Sequence, residues 1–179
     1  MAARCEKPCP TGPWPLAGLT DSDEYAAMGN NVEVLQRHQQ PIAVVRDRVQ
    51  PEGISEFLGS AFDETMAVVG HQRLDVTGAP FARYSLTDDA RWDVEAGFPV
   101  DAPPLAEGRV LPDMLPGGTV ARILHVGEYA AVGVAYETLL EWLPANGYQP
   151  TGDPWEEYLD RPSTPNPRTE VYVPCAAAQ

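Results

Sequence analysis

Glu156 and Tyr158 place a carboxylate and a phenol two residues apart in the stretch Gly152-Asp153-Pro154-Trp155-Glu156-Glu157-Tyr158. Gly-x-Pro breaks whatever precedes it, and Trp and Tyr favour a pleated surface, so the stretch is expected to turn into a short strand. Side chains alternate along a strand. Glu156 and Tyr158 therefore share one face, and Trp155 and Glu157 share the other. A carboxylate on an aromatic face can pair with a cation, or can trade a proton with water or substrate. A neighbouring phenol can hydrogen-bond a carbonyl that gains negative charge. Glu156 and Tyr158 are thus the candidate catalytic pair and candidate ligand-binding residues.

The chain nearly repeats this stretch at Gly78-Ala79-Pro80-Phe81-Ala82-Arg83-Tyr84. Gly, Pro, an aromatic and Tyr recur at the same spacing, and Ala82 stands where Glu156 stands. Arg83 matches Glu157, and both are expected to point to solvent. A duplicated scaffold with an acid in one copy only singles out Glu156. Tyr84, the mirror of Tyr158, is placed facing the same cleft from the first half.

Trp92, Phe98, Tyr136 and Trp142 are further ligand-binding candidates, although for each of them a core position is the first expectation. Tyr158 itself suits the core as well as a site. Glu95 mirrors Glu170, which fits a structural role in both halves. His125 and Glu128 resemble an acid–base pair, but an acid at a helix start is stabilised by the helix dipole, and Glu128 is read as a cap. Cys5, Cys9 and Cys175 form no disulfide framework, and His38, His71 and His125 have no metal-ligand spacing. No metal and no cofactor are expected. There is no Ser-centred nucleophile motif and no Gly-rich phosphate loop.

The elements that must position these residues follow the same duplication. Residues 31–49 are expected to form a strand interrupted at Pro41, and Pro51 to Val69 a helix with apolar residues at spacings of three and four, stopped by Gly70. Strands over 81–86 and 91–99 follow, joined by a turn at Thr87-Asp88-Asp89. The Pro- and Gly-rich segment 101–118 is read as a linker. Then come a strand over 119–126, a helix over 128–143, the Trp155–Tyr158 strand and a last strand over 169–173. Val94-Glu95 and Phe98-Pro99 match Thr169-Glu170 and Val173-Pro174. The predicted fold is α+β: two strand-helix-strand-strand halves, 31–100 and 115–175, related by a pseudo-twofold axis, with antiparallel sheets, two main helices and a cleft between them. Residues 1–30 are read as a disordered or loosely docked tail, dispensable for folding, because they hold four prolines in the first fifteen residues and no apolar period.

The 179 residues carry 26 acidic and 12 basic side chains, for a net charge of −14. Nucleic acid is not expected as a direct partner of so acidic a chain, since phosphates must be met by Lys and Arg. No apolar run approaches membrane-spanning length, and a cytoplasmic location with no membrane partner is expected. A monomer is compatible with the sequence.

Several motifs together resemble the GyrI-like small-molecule-binding family, which is also the effector-binding domain of AraC-type and MerR-type multidrug regulators. They are Val94 to Val100, Leu115 to Ala121, His125 to Tyr129, Ala135-Tyr136, Leu139 to Trp142, Trp155 to Tyr158 and Thr169 to Pro174, in the family's order. The resemblance implies a ligand cleft between duplicated halves and a cleft glutamate ringed by aromatics, which maps to Glu156 and not Glu157. The family usually has Pro after His-x-Gly, where this chain has Glu128. By resemblance, the chain binds hydrophobic, cationic or electrophilic small molecules as a self-resistance protein. The alternatives implied are a hydrolase opening the cyclopropane ring of DNA-alkylating natural products with Glu156 and a Tyr, and a protein inhibitor of DNA gyrase.

Overall fold

The structure, a computed structural model, describes residues 31–87 and 91–178. The turn expected at Thr87–Asp89 lies partly outside these residues, and the segment 1–30 entirely so. Nine strands and two α-helices follow one another as β1 (Glu33–Arg37), β2 (Gln40–Val49), α1 (Ile54–Gln72), β3 (Phe81–Leu86), β4 (Trp92–Pro99), β5 (Leu111–Leu115), β6 (Gly118–Val126), α2 (Gly133–Ala145), β7 (Tyr148–Pro150), β8 (Trp155–Tyr158) and β9 (Arg168–Ala177).

The strands form one antiparallel sheet in the order β1-β6-β9-β8-β3-β4-β2-β5, with β7 paired to β9. The two halves join through β3 and β8, where Ala82 lies opposite Glu156, Phe81 opposite Glu157 and Arg83 opposite Trp155. Exchanging each residue for its repeat partner returns the same pairs. The pseudo-twofold axis therefore passes between Ala82 and Glu156. The outer ladders obey it too: Tyr84 pairs with Val94 as Tyr158 pairs with Thr169, and Ile42 with Pro99 as Val120 with Pro174.

The segment 31–49 is two strands, and the break falls at His38-Gln39 rather than at Pro41. β1 pairs with β6 of the second half, and β5 pairs with β2 of the first. Each half lends its leading strand to the other. β1 is one edge of the sheet, and β2 lies one strand in from the opposite edge. Only two residues join them, a reach of about 11 Å from Arg37 to Gln40, so the two ends must meet and the sheet curls. Gly97 permits part of this curl: a Cβ there would stand 1.9 Å from the Ala43 carbonyl oxygen. The segment 101–118, expected as a linker, contains β5.

Both helices lie on the face that carries Ala82 and Glu156. α1 opens on a 3-10 turn at Pro51–Gly53 and runs past Gly70 to Gln72, where Arg73 takes the left-handed cap. Its Ile54, Phe57, Leu58, Ala61 and Phe62 pack on Val94, Ala96 and Phe98. α2 covers the second half more thinly, with Ala135, Leu139 and Leu143 on Ala121, Ile123, Val171 and Val173. Inside the curl, Ile42, Val44, Phe81, Leu115, Val120, Trp155 and Tyr172 form a third cluster.

Candidate functional site

β8 is four residues long, and every one of them is buried. The alternation holds. Glu156 and Tyr158 point to the helix face, and the Tyr158 hydroxyl donates to Glu156 Oε2 at 3.0 Å. Tyr136, brought over by α2, donates to Oε1 at 2.9 Å. Glu156 is 2 % exposed. The hydroxyls of Tyr84 and Tyr158 meet at 2.8 Å. These two residues are repeat partners, so their contact straddles the pseudo-twofold axis. Ala82 beneath them is small enough to let both rings lean inward.

Burial pushes the Tyr84, Tyr136 and Tyr158 hydroxyls well above the ordinary tyrosine range, and the charge of Glu156 pushes them further. They stay protonated donors at any ordinary pH. The group is thus a carboxylate held by phenol donors, at the seam between two helices. It can receive a cationic centre, or hold a water whose proton the carboxylate takes.

The other candidates fall into distinct places. Trp92 meets Tyr84 edge-on at 6.2 Å, one ring further out. Phe98 is fully buried and edge-on to Phe62 at 5.5 Å, a core position. Trp142 joins the second-half cluster and stacks on Tyr148 at 6.1 Å. Tyr129 was not foreseen as a site residue. It comes from the 3-10 turn before α2, packs edge-on to Tyr158 at 5.5 Å and donates to the Asp160 carbonyl at 2.8 Å. Its signal was its place in the His125–Tyr129 motif. Glu128 occupies the cap position of that turn, but its side chain makes no capping hydrogen bond. His125 Nε2 lies 3.0 Å from the Glu128 carbonyl oxygen, so the two side chains do not act as a pair.

Glu157 corrects an expectation. It faces away from Glu156, as the alternation requires, yet that face is the inside of the curl, and Glu157 is 7 % exposed. Arg37 of β1 donates to its Oε1 at 2.7 Å and Trp155 Nε1 donates to the same oxygen at 3.1 Å. The Arg37 guanidinium also lies 4.6 Å over the Tyr172 ring, which stacks on Trp155. Burial pushes the Glu157 carboxyl up, and Arg37 holds it back. Arg83, likewise expected in solvent, is only 21 % exposed and ion-pairs with Glu95, as does Arg46. Glu95 is thus structural. An open pocket of about 440 Å³ on this side of β3 and β4 is lined by Arg46, Arg83 and Glu95 among others. It holds none of the candidate site residues. Among the described residues no cluster of His, Cys, Asp and Glu could hold a metal ion, and no helix is long and apolar enough to cross a membrane.

Solved structures share this fold. The C-terminal domain of EcmrR superposes with a TM-score of 0.72 at 21% identity, over 83% of this chain and 98% of that one. In the EcmrR–DNA complex the values are 0.73 and 21%, over 87% of this chain and 60% of that one, so this chain spans about 60% of the longer EcmrR chain. A hydrolase from Listeria innocua gives 0.63 at 14% identity, over 86% and 95%. SAV2435, solved bound to tetraphenylphosphonium, gives 0.59 at 11%, over 82% and 94%. At these identities the likeness is one of fold. No curated protein matches the sequence. The family model of the GyrI-like small molecule binding domain matches residues 30–176, which takes in every strand except the last residue of β9 and both helices. The chain belongs to the GyrI-like small-molecule-binding family.

Proposed function

We propose that the seam between α1 and α2 binds an apolar small molecule with a cationic or electrophilic centre, and that Glu156 orients that centre. The observation that carries this reading is the buried Glu156 carboxylate, held by the Tyr136 and Tyr158 hydroxyls on the pseudo-twofold axis. Aromatic rings supply contact area and favour cations, while the carboxylate supplies the charge. The tetraphenylphosphonium bound by SAV2435 is a ligand of this chemistry. Glu156 is 2 % exposed, so entry requires an element to move. Of the two helices over the site, α2, with only three buried side chains along thirteen residues, is the one that moves more cheaply. In the cell such binding sequesters a toxic compound, a self-resistance role in the cytoplasm. The net charge of −14 argues against direct duplex binding, and a gel shift with an unrelated duplex should show none.

Titration calorimetry with tetraphenylphosphonium tests the reading. Wild-type protein should bind it, and Glu156→Gln should bind it far less while keeping its fold. Equal binding by the two proteins overturns the role of Glu156.

The carboxylate-and-phenol geometry also favours a hydrolase as the second reading. Glu156 takes a proton from water, and the hydroxide attacks a cyclopropane carbon. The ring C–C bond breaks toward a conjugated carbonyl, whose oxygen gains negative charge and accepts a hydrogen bond from Tyr158. The proton held by Glu156 then returns to the product. The product is heavier by one water. A cyclopropane-bearing alkylator recovered at unchanged mass after binding leaves the binder alone. No particular observation favours the third reading, an inhibitor of gyrase.

A further inference from the structure

Thr169 lies on β9 directly opposite Tyr158, on the helix face. It is fully buried, and among the described residues its hydroxyl has no hydrogen-bond partner. The strand does not require that hydroxyl, since Val fills a β-position equally well. The first half shows this. Its matching residue is Val94, which faces Tyr84 as Thr169 faces Tyr158, and which is 2 % exposed. A buried hydroxyl without a partner loses the hydrogen bonds it made to water in the unfolded chain, so it destabilises the fold unless something else meets it.

The two halves therefore differ on this face in a consistent way. Ala82 is answered by Glu156, and Val94 by Thr169. Both polar replacements lie in the second half, on adjacent strands. Glu156 pairs with Val171, two residues from Thr169, which makes Glu156 and Thr169 diagonal neighbours about 7–8 Å apart. The nearest titratable neighbour across the sheet, His125 on β6, is engaged with the Glu128 carbonyl.

We propose that Thr169 is a second polar anchor of the cleft: its hydroxyl holds a neutral oxygen, a hydroxyl or a carbonyl, on a ligand whose cationic or electrophilic centre sits at Glu156. This rests on the reading of the seam as a ligand site, and it narrows the ligand class to apolar molecules with an oxygen at that spacing. A threonine hydroxyl both donates and accepts, so either oxygen chemistry fits.

Thr169→Val is the nearest isostere, and two probes separate the anchor from the cleft. Tetraphenylphosphonium is an apolar cation with no hydrogen-bonding group. (4-Hydroxymethylphenyl)triphenylphosphonium adds one hydroxyl on a rigid ring. By calorimetry, wild-type protein should prefer the hydroxylated probe by about 3- to 10-fold, the worth of one hydrogen bond. Thr169→Val should lose that preference, bind tetraphenylphosphonium as before, and melt no lower than wild type. Three results overturn the anchor and leave the cleft standing: equal wild-type affinity for the two probes, a preference that survives in Thr169→Val, or a lowered melting temperature that reveals a structural partner for the hydroxyl. If neither probe binds wild type, the cleft reading falls and the anchor falls with it.

Discussion

The two halves share a backbone plan and divide the labour. α1 buries nine of its nineteen residues, and α2 buries three of thirteen. On the face beneath them, the first half offers Ala82 and Val94 where the second offers Glu156 and Thr169. The first half also places Gly97 where the second places Tyr172, which stacks on Trp155. Each polar group in the second half costs stability when it is buried, because it leaves water. The densely packed first half supplies the stability that offsets this. A duplicated fold can thus pack one copy as apolar core and carry buried polar groups on the matching face of the other.

Breaking that asymmetry should give the largest effect. Ala82→Glu makes the halves alike and sets a second carboxylate opposite Glu156, with Cβ atoms about 5 Å apart. It also overfills the space into which Tyr84 and Tyr158 lean. An uncompensated buried charge costs about 3–5 kcal/mol, and the overpacking puts this variant at the upper end. Denaturant unfolding measures it. A variant as stable as wild type would mean that the seam is open and wet, and that the face is no core.

Arg37→Met comes next and tests the other side of the sheet. Arg37 is 21 % exposed and pairs with the buried Glu157. Its loss leaves that carboxylate uncompensated, at the lower end of the same range, about 3 kcal/mol at neutral pH. The sign with pH is fixed. The folded-state pKa of Glu157 is already raised by burial, and removing Arg37 raises it further. Below the unfolded carboxyl's ordinary range Glu157 is protonated in both states, and the variant should nearly match wild type. As pH rises through the raised folded value, the unfolded chain ionises more readily and the deficit grows. Unfolding free energies at acid and neutral pH check this. A deficit independent of pH would assign Arg37 a packing role over Tyr172.

Glu156→Gln should be milder still and should appear in binding rather than folding, at about 2–3 kcal/mol of affinity for a cationic ligand. Its control cannot be Glu157, whose own burial makes it structural. Glu141, exposed on α2, serves instead, and Glu141→Gln should change neither affinity nor stability.

The burial of Glu157 marks the limit of what the sequence could say. Local patterns gave the alternation on β8, the helix faces and the matched Gly-x-Pro stretches, because each depends on residues a few positions apart. The repeat matched Ala82 to Glu156, but only the pairing of β3 with β8 puts the axis between them. The repeat held the difference between Val94 and Thr169 as well, although only the orphaned hydroxyl gives that difference meaning. What stayed hidden was long-range. No local pattern tells that β1 pairs with β6, and that pairing closes the curl and buries Glu157 against Arg37. β5 was hidden by its own composition, since Pro112 and the flanking Gly and Pro residues argue for a loop. It is an edge strand, where proline is tolerated.

The smallest effect sharpens the comparison most. Tyr84 and Tyr158 are mirror images whose hydroxyls share one hydrogen bond across the axis. Tyr158 also donates to Glu156. Tyr84→Phe removes the shared bond and leaves the carboxylate its bonds from Tyr136 and Tyr158. It should cost about 1 kcal/mol or less in affinity. Tyr158→Phe removes the shared bond and a donor to a charged acceptor, and such bonds are worth about 1.5–3 kcal/mol. Both variants keep their rings, so the packing against Phe62 and Tyr129 survives in Tyr158→Phe, and that against Trp92 in Tyr84→Phe. Calorimetric titration of the two variants with tetraphenylphosphonium should therefore rank Tyr158→Phe well below Tyr84→Phe. Equal losses would mean that the two hydroxyls act as one symmetric pair on the axis, and that the second half holds no privileged donor. A larger loss from Tyr84→Phe would move the chemistry to the first half and break the division of labour between them.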